Sequence, residues 1–560
     1  MAAAPAPLPV PTPSPEGAGA DDGEDAAFRV GQRVHAAGNP RRAGTVRYVG
    51  AVAGHAGVWV GVDWDDGEGK HDGSLAGARY FAARGHRSAS FVRPKALSPG
   101  ISLIDALLLR YSGDYTKEEE EEMYVLSTSK KRVSVEFVGK NKVQEKLKHF
   151  DELLTASVSY MGVSSIGPPH EISALVPSLK DLDLTGNLIS KWQEIASLCE
   201  ALPSLEVLNL TNNMIESDVV ELPLLKSIRI LVLNSCGITW ESVETLEKSL
   251  PAVEELHLMS NKLRTIVPAL TVPVTSPVQR FGSLPLLNLE DNHFDEWDEI
   301  LKLSHLRSLE QLYLNKNNLK HIFYPSKHPT TGLDDNNVNE TSPVPFENLQ
   351  CLLLGCNKIE DLASVDSLNF FPRLTDIRLS ENPIVDPAIG GLPRFVLIAR
   401  LAKVTTLNGS EVSPRERKES EIRYVRLVMA KMQSVDSEEI KQLHPRFEEL
   451  KALHGIEDEN PRSGTSGPQK MASGLISVTL KCVGASMGEK QPLTKKLPPA
   501  TTVGKLKVLC ESFFKLKDIK LRLFLEEEGS PLPLLLDEDM APLMDLGIGS
   551  GATILVDEEN

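Results

Sequence analysis

The feature that most constrains this chain of 560 residues is a spacing that recurs eight times, Leu-x-x-Leu-x-Leu-x-x-Asn. It reads Leu179, Leu182, Leu184 and Asn187, then Leu205, Leu208, Leu210 and Asn213. Ile228, Leu231, Leu233 and Cys236 follow, then Val253, Leu256, Leu258 and Asn261, then Leu284, Leu287, Leu289 and Asn292. The series continues with Leu309, Leu312, Leu314 and Asn317, then Leu349, Leu352, Leu354 and Asn357, and closes on Leu374, Ile377, Leu379 and Asn382. Alternating apolar positions predict a short strand with one buried face in each unit. No unit of about 25 residues can bury its own leucines, so the units must stack and share one core.

The pattern resembles the leucine-rich repeat family, which implies an α/β solenoid, here expected over 170–410 with its C-terminal cap. The Asn side chains, and Cys236 in their place, satisfy backbone groups in the turns and are structural. Two longer connections, Ile266–Gly282 and Tyr324–Pro345, are expected as loops inserted between repeats. Leu392–Leu401, Leu407-Asn408-Gly409, Arg415, Arg417 and Glu421 resemble the cap that keeps the last leucines from water. A helical extension is expected over 411–455, and a Gly, Ser and Pro-rich linker over 456–473.

Before the repeats lie an Ala and Pro-rich tail at 1–27, read as disordered, and a Gly and aromatic-rich segment at 28–99. At its centre is Gly69-Lys70-His71-Asp72-Gly73-Ser74, preceded by Gly57-Val58-Trp59-Val60-Gly61-Val62-Asp63-Trp64-Asp65 and followed by Gly77-Ala78-Arg79-Tyr80-Phe81 and Phe91-Val92-Arg93-Pro94. The alternation from Val58 to Trp64 predicts a strand, and the glycines predict the turns of a small bent antiparallel sheet. From Phe28 to Leu97 there are 11 Lys plus Arg against 5 Asp plus Glu, a net charge of +6 on a chain whose total is −17. A basic module on an acidic protein suits capture of an acidic peptide.

These residues resemble the CAP-Gly family, small all-β domains that read acidic, aromatic-ended protein tails. Lys70 and His71 are expected as donors to a carboxylate, Trp59 and Phe81 as aromatic walls, and Phe91 and Arg93 at the rim. Gly69, Gly73 and Trp64 would shape the groove, with core packing the competing role for Trp64 and, in part, for the other aromatics. The commonest form of the signature has Asn where this chain has His71, whose charge could vary between about pH 5 and 8 and carry tail affinity with it.

Between the basic segment and the repeats, 100–169 is a connecting region with a charged stretch Lys117–Glu122, a strand Arg132–Val138 and a helix around Lys142–Leu154. At the other end, 474–560 reads strand Ile476–Val483, strand Leu493–Leu497, helix Val503–Phe514, strand Lys520–Leu525 and strand Thr553–Val556. That order resembles the α+β ubiquitin-like grasp. The ending Asp557-Glu558-Glu559-Asn560 has no Gly-Gly tail, so a docking module is expected rather than a conjugated modifier.

Several function classes are excluded. A pI near 5.4 argues against nucleic acid, which needs a dominant basic face. Six scattered cysteines without Cys-x-x-Cys pairs argue for a reducing compartment and against a zinc site. The N-terminus has no signal-peptide pattern, and no run of about 18 apolar residues suggests a membrane span. A cytoplasmic, cytoskeleton-associated location is expected. No Walker loop, metal spacing or nucleophile-base constellation is present, so no enzyme and no cofactor are expected. Supplying an arginine such as Arg378 to a partner's GTPase, or serving as a ubiquitin-ligase adaptor, are weaker readings.

CAP-Gly with Lys-His, then capped leucine-rich repeats, then a ubiquitin-like end together resemble the tubulin-folding cofactor E family across nearly the whole chain. The resemblance implies a chaperone that binds alpha-tubulin and acts with cofactors B, D and C in assembling and dismantling the alpha/beta-tubulin heterodimer, and so in microtubule formation. The alternative is a CAP-Gly microtubule adaptor or scaffold without folding activity; the lack of a sustained heptad counts against it.

Overall fold

A computed structural model of the chain describes residues 28–112, 124–126, 132–134, 149–217, 222–266, 284–325, 344–389, 391–432, 442–456, 475–484, 487–488, 490–516, 519–526, 533–543 and 546–559. The expected tail (1–27), the charged stretch 117–122 and nearly all of the linker and of both repeat insertions lie outside the described residues. So do most of the expected helix 142–154, of which only a 3₁₀ turn, Phe150–Glu152, is described, and the end of the strand expected to Val138, which is described over Arg132–Ser134. The described chain divides into two compact units. One holds residues up to Ala106 with 160–165 and 186–189; the other holds 107–159, 166–185 and everything from Ser190 onward.

In the first unit the strands β1 (Arg33–Ala36), β2 (Asn39–Val52), β3 (His55–Trp64), β4 (Ser74–Leu75), β5 (Ala78–Arg79), β6 (Ala89–Val92) and β7 (Leu97–Ser98) follow one another. Five of them form an antiparallel sheet in the order β6-β3-β2-β1-β7, and β4 pairs with β5 as a small hairpin. Its core is Phe28, Val34, Val46, Val60, Val62, Trp64 and Leu97. Alternation along β3 sends Val60, Val62 and Trp64 inward and Trp59, Gly61 and Asp63 to the other face. Opposite Gly61, β2 carries an irregularity between Val46 and Tyr48, so Val46 pairs with Val62 and faces the core while Tyr48 pairs with Gly61 and faces out.

In the second unit eleven described strands form one sheet, parallel except for its closing hairpin Thr406–Leu407 with Ser410–Glu411. The middle residues of the parallel strands, from Leu182 through Leu208 to Ile377, are fully buried. Turns after them place Asn212, Ser235, Ser260, Asp291, Lys316, Cys356 and Glu381 at positive φ, each one residue before the repeat Asn or Cys. The Asn side chains hold those turns: Asn292 Nδ2 donates to Leu258 O and Leu289 O at 3.0 Å each, and its Oδ1 accepts from Asn261 N at 3.1 Å and Leu263 N at 3.0 Å. Cys236 Sγ replaces the amide, donating to Leu210 O at 3.0 Å.

The sheet starts earlier than the spacing predicts. Thr155–Ser157, in the expected connecting region, pairs in parallel with Asp181–Asp183. Leu153, Ala156 and Val158, all buried, occupy the leucine positions of a degenerate first repeat. At the other end helix Arg394–Arg400, helix Pro414–Met432 and helix Phe447–Leu453 form a cap with its own buried cluster, Phe395, Val396, Ala399, Tyr424, Val428, Phe447 and Leu450. Arg417 pins this cap, donating to Ile398 O and Leu401 O at 3.1 Å each and to Val404 O.

The C-terminal domain is ubiquitin-like: a five-stranded sheet in the order Leu493–Leu497, Ile476–Cys482, Thr553–Glu558, Leu521–Glu526, Leu534–Leu536. The two strands from its ends, Ile476–Cys482 and Thr553–Glu558, pair in parallel, and helix Val503–Phe514 packs on one face, its first turn capped by Thr502. The domain meets the cap through Arg423, which lies 3.7 Å over the Phe395 ring and donates to Leu546 O at 2.6 and 3.2 Å. A side chain at Gly547 would collide with Arg423, so that glycine is what lets the arginine in.

Candidate peptide-binding site

The outer face of β2, β3 and β6 is where the aromatic residues collect. Gly61 has no side chain, and the Phe81 ring fills the space a Cβ would take there. Phe91, the β6 partner of Gly61, packs edge-on against Phe81, Tyr80 and Tyr48 with ring centroids 5.6, 5.2 and 6.0 Å apart. The His71 ring lies tilted on Phe91 at 4.8 Å and edge-on to Phe81 at 6.3 Å. All five rings are half-buried, unlike the sealed core beneath them.

The lysine-histidine loop is tied to β6 by its backbone. Lys70 N and His71 N both donate to Ala89 O, at 2.6 and 3.1 Å, and Ala89 N returns a bond to His71 O at 2.9 Å. Gly69 sits so close to this β6 backbone that a Cβ would collide with Ala89. Gly73, at φ +96°, leaves no room for a Cβ beside Phe81 O. Asp72 closes the turn by accepting from Ser74 N at 3.1 Å and Arg79 at 2.7 Å, and the Ser74 bonds hold its carboxyl below its ordinary value. Below, fully buried Asp63 accepts from Ser88 Oγ at 2.5 Å and Arg84 N at 3.1 Å, anchoring the return to β6.

His71 Nδ1 accepts the Gly73 N–H at 3.0 Å, which places the ring proton on Nε2. Burial pulls its pKa below the ordinary 6.5, with Asp72 opposing and Lys70 reinforcing the shift. The ring is therefore a neutral donor at pH 7, which moves any change of its charge to the acid side of the range expected from sequence. Lys70 is exposed and has no ion-pair partner among the described residues.

The expected residues divide into three places. His71, Phe81 and Phe91 come together, with Gly69 and Gly73 shaping the loop as expected from their size. Trp59 and Arg93 form an adjoining pair on the same face: the guanidinium lies 3.8 Å over the indole and donates to Val58 O at 3.2 Å. The Trp59 indole N–H is buried without an acceptor among the described residues. Trp64 does not shape the groove; it is 3% exposed in the core on the opposite face. Two ring donors, Tyr48 and Tyr80, were not among the expected groove residues. Tyr48 donates to Ala51 O at 2.6 Å and Tyr80 Oη accepts from Ala53 N at 2.9 Å, so both rings are held in place. The Tyr-x-Gly spacing of Tyr48 and Gly50 was the available signal, since a side chain at Gly50 would strike the Tyr48 hydroxyl. Among the described residues no group of His, Cys, Asp or Glu could hold a metal, and no helix is long and apolar enough to cross a membrane.

A half-buried aromatic face bordered by Lys70, the His71 Nε2–H and Arg93 can take an apolar ring and the carboxylates around it. The CAP-Gly domain family matches residues 30–97. The chain is 58% identical to the tubulin-folding cofactor E of Arabidopsis thaliana, over 96% of this chain and 99% of that one. It is 30% identical to the tubulin-specific chaperone E of Danio rerio, over 94% and 98%. The solution structure of the C-terminal ubiquitin-like domain of mouse tubulin-specific chaperone E matches 17% of this chain and 96% of that one at 28% identity, with a TM-score of 0.15. With sequence similarity spanning repeats, cap and both flanking domains, the chain belongs to the tubulin-folding cofactor E family.

Proposed function

We propose that this protein is a cytoplasmic tubulin-folding chaperone whose CAP-Gly groove captures the acidic, aromatic-ended tail of alpha-tubulin while the repeat sheet holds the folded body. The observation that carries it is the half-buried ring cluster of Tyr48, His71, Tyr80, Phe81 and Phe91 beside Lys70, which has no ion-pair partner among the described residues, on a module of net charge +6. The terminal ring of the tail packs on Phe91, and Lys70 with the His71 Nε2–H binds its carboxylate. The names of the relatives support tubulin as the partner. Two tethered weak contacts act at an effective concentration on the order of millimolar, which raises avidity about 100-fold over either alone. Acting with cofactors B, D and C on the alpha/beta heterodimer, the protein needs no catalytic group of its own.

The test is binding of purified alpha/beta-tubulin, intact and with the alpha tail removed, to the wild type and to Lys70→Ala. Both lesions weaken binding to soluble dimer if the reading is right. Binding to microtubule polymer alone would replace it with the adaptor reading.

A further inference from the structure

The face of the repeat sheet that turns away from the leucines carries different chemistry. In-register parallel pairing aligns the first and third residues of successive strands on this face. Val207, Ile230 and Val232 make one half-buried apolar patch on it, and Tyr313 with Leu353 a second, with Glu255, His257, Leu286 and Asn288 on the two strands between them. Asp181 and Asp183 stand at one end, Glu255 in the middle and Asp376 at the other end.

None of these four carboxylates has a Lys or Arg ion-pair partner among the described residues. Asp183 is held instead by the hydroxyls of Ser157, Ser159 and Thr185, at 2.9, 2.6 and 2.6 Å, and Glu255 by His257 at 3.2 Å. Arg378, beside Asp376, turns to Ser380 Oγ at 3.0 Å. The cations that lie just before the strands are already neutralised along the rim, Lys180 by Glu206 at 3.1 Å and Arg229 by Glu254. Burial pushes the Asp181 carboxyl up, helped by Asp183, and burial pushes Asp376 up too, as happens to charges without a counter-ion. The imbalance extends to the whole solenoid: 170–410 contains 31 Asp plus Glu against 19 Lys plus Arg, a net of −12.

We infer that this face docks the folded body of the tubulin subunit through a partner surface in which Lys and Arg side chains alternate with apolar patches. The inference rests on the tubulin reading and deepens it, naming the chemistry by which the repeat sheet holds the folded body independently of the tail groove. From Asp181 to Asp376 the sheet crosses seven strand spacings, about 34 Å, which matches a domain face better than a single extended peptide. Cations from the partner would meet carboxylates to which the described residues offer no Lys or Arg, while the two patches supply apolar burial. Such an arrangement makes association salt-sensitive and selects against acidic partner surfaces.

The experiment uses the full chain and alpha/beta-tubulin stripped of its acidic tails, so that the groove contributes nothing. Wild type is compared with Asp181→Asn/Glu255→Gln/Asp376→Asn, whose melting curve checks the fold, and wild-type binding is titrated with salt, which needs no variant. The expected result is that wild type binds the tail-less dimer, loses affinity as salt rises, and loses tenfold or more on the triple substitution, while Lys70→Ala has no effect. Equal binding of wild type and triple variant without salt response overturns the inference. So does a tail-less dimer that fails to bind while intact dimer still binds through Lys70, an outcome that leaves the tail reading standing. If the triple substitution instead abolishes only self-association, the occupant is a second copy, whose basic CAP-Gly module offers the cations. Failure of wild type to bind intact tubulin at all would sink the tubulin reading itself.

Discussion

The repeat turns and the lysine-histidine loop are both tight backbone built from polar residues, yet their hydrogen bonds run in opposite directions. Every polar atom of the Asn292 amide is answered within the chain, by Leu258 O, Leu289 O, Asn261 N and Leu263 N. In the loop the backbone is satisfied by Ala89 and the His71 Nδ1 by Gly73 N, while the exposed Lys70 ammonium and the His71 Nε2–H have no acceptor among the described residues. A buried group that is answered internally stabilises a fold, and an accessible one that is not is available to a ligand. Charge follows the same division: the module presenting unspent donors is at +6, and the solenoid is at −12.

The contrast breaks most readily at the turns. Asn292→Ala removes four buried hydrogen bonds at about 1 kcal/mol each, so denaturant unfolding should show a loss of about 4 kcal/mol, with tail-peptide binding unchanged. A loss below about 1 kcal/mol would mean the turn is held by other contacts.

Gly73→Ala comes next, because an alanine at that positive φ meets Phe81 O as well as backbone strain. It should destabilise the first unit by about 2 kcal/mol and cut binding of an acidic peptide ending in Tyr by more than tenfold, leaving solenoid unfolding untouched. Lys70→Ala, on an exposed side chain, should leave melting alone and lower that affinity about tenfold, or 1.4 kcal/mol; fluorescence anisotropy with a C-terminally amidated control reads the carboxylate contribution.

Arg423→Ala should have a smaller effect, about 1 kcal/mol for the lost bonds to Leu546 O, visible as faster amide exchange over 546–549 with the rest of the ubiquitin-like domain protected.

The smallest effect is with pH. The folded pKa of His71 lies below its ordinary 6.5, so the unfolded chain takes up the proton more readily. The stability this residue contributes is fully present above about pH 6.5 and declines as pH falls below it. Melting of the first unit should be flat from pH 7 to 8 and fall on the acid side, and His71→Asn should flatten that fall. A decline beginning above pH 7 would contradict a neutral ring accepting from Gly73.

Local spacing made most of the architecture legible. Repeats separated by 25 residues announce a solenoid because each must bury its leucines on the next, and the ubiquitin-like strands and helix follow their alternation closely. The first repeat is not legible in the spacing because Ala156 and Val158 stand where the pattern has leucine. The strand Leu534–Leu536, three leucines in a row, carries no alternation to read.

The shape of the lysine-histidine loop at the candidate site was legible in its glycines, because those act through backbone space that belongs to the residues themselves. Which aromatic serves it was not. Trp59 and Trp64 are five positions apart in one strand, an odd number, so alternation sends them to opposite faces; only Val34, Val46 and Leu97, arriving from other strands, make the Trp64 side the core. Val46 and Tyr48 should share a face by the same rule, and the irregularity between them against Val62 and Gly61 turns Tyr48 outward into the ring cluster. The sequence by itself determined the repeat period, the turn-holding amides and the chemistry of the loop, since each depends on near neighbours. Tertiary structure alone decided which rings cluster on the outer face and which carboxylates go without a cation among the described residues, because both depend on strands brought together from distant parts of the chain.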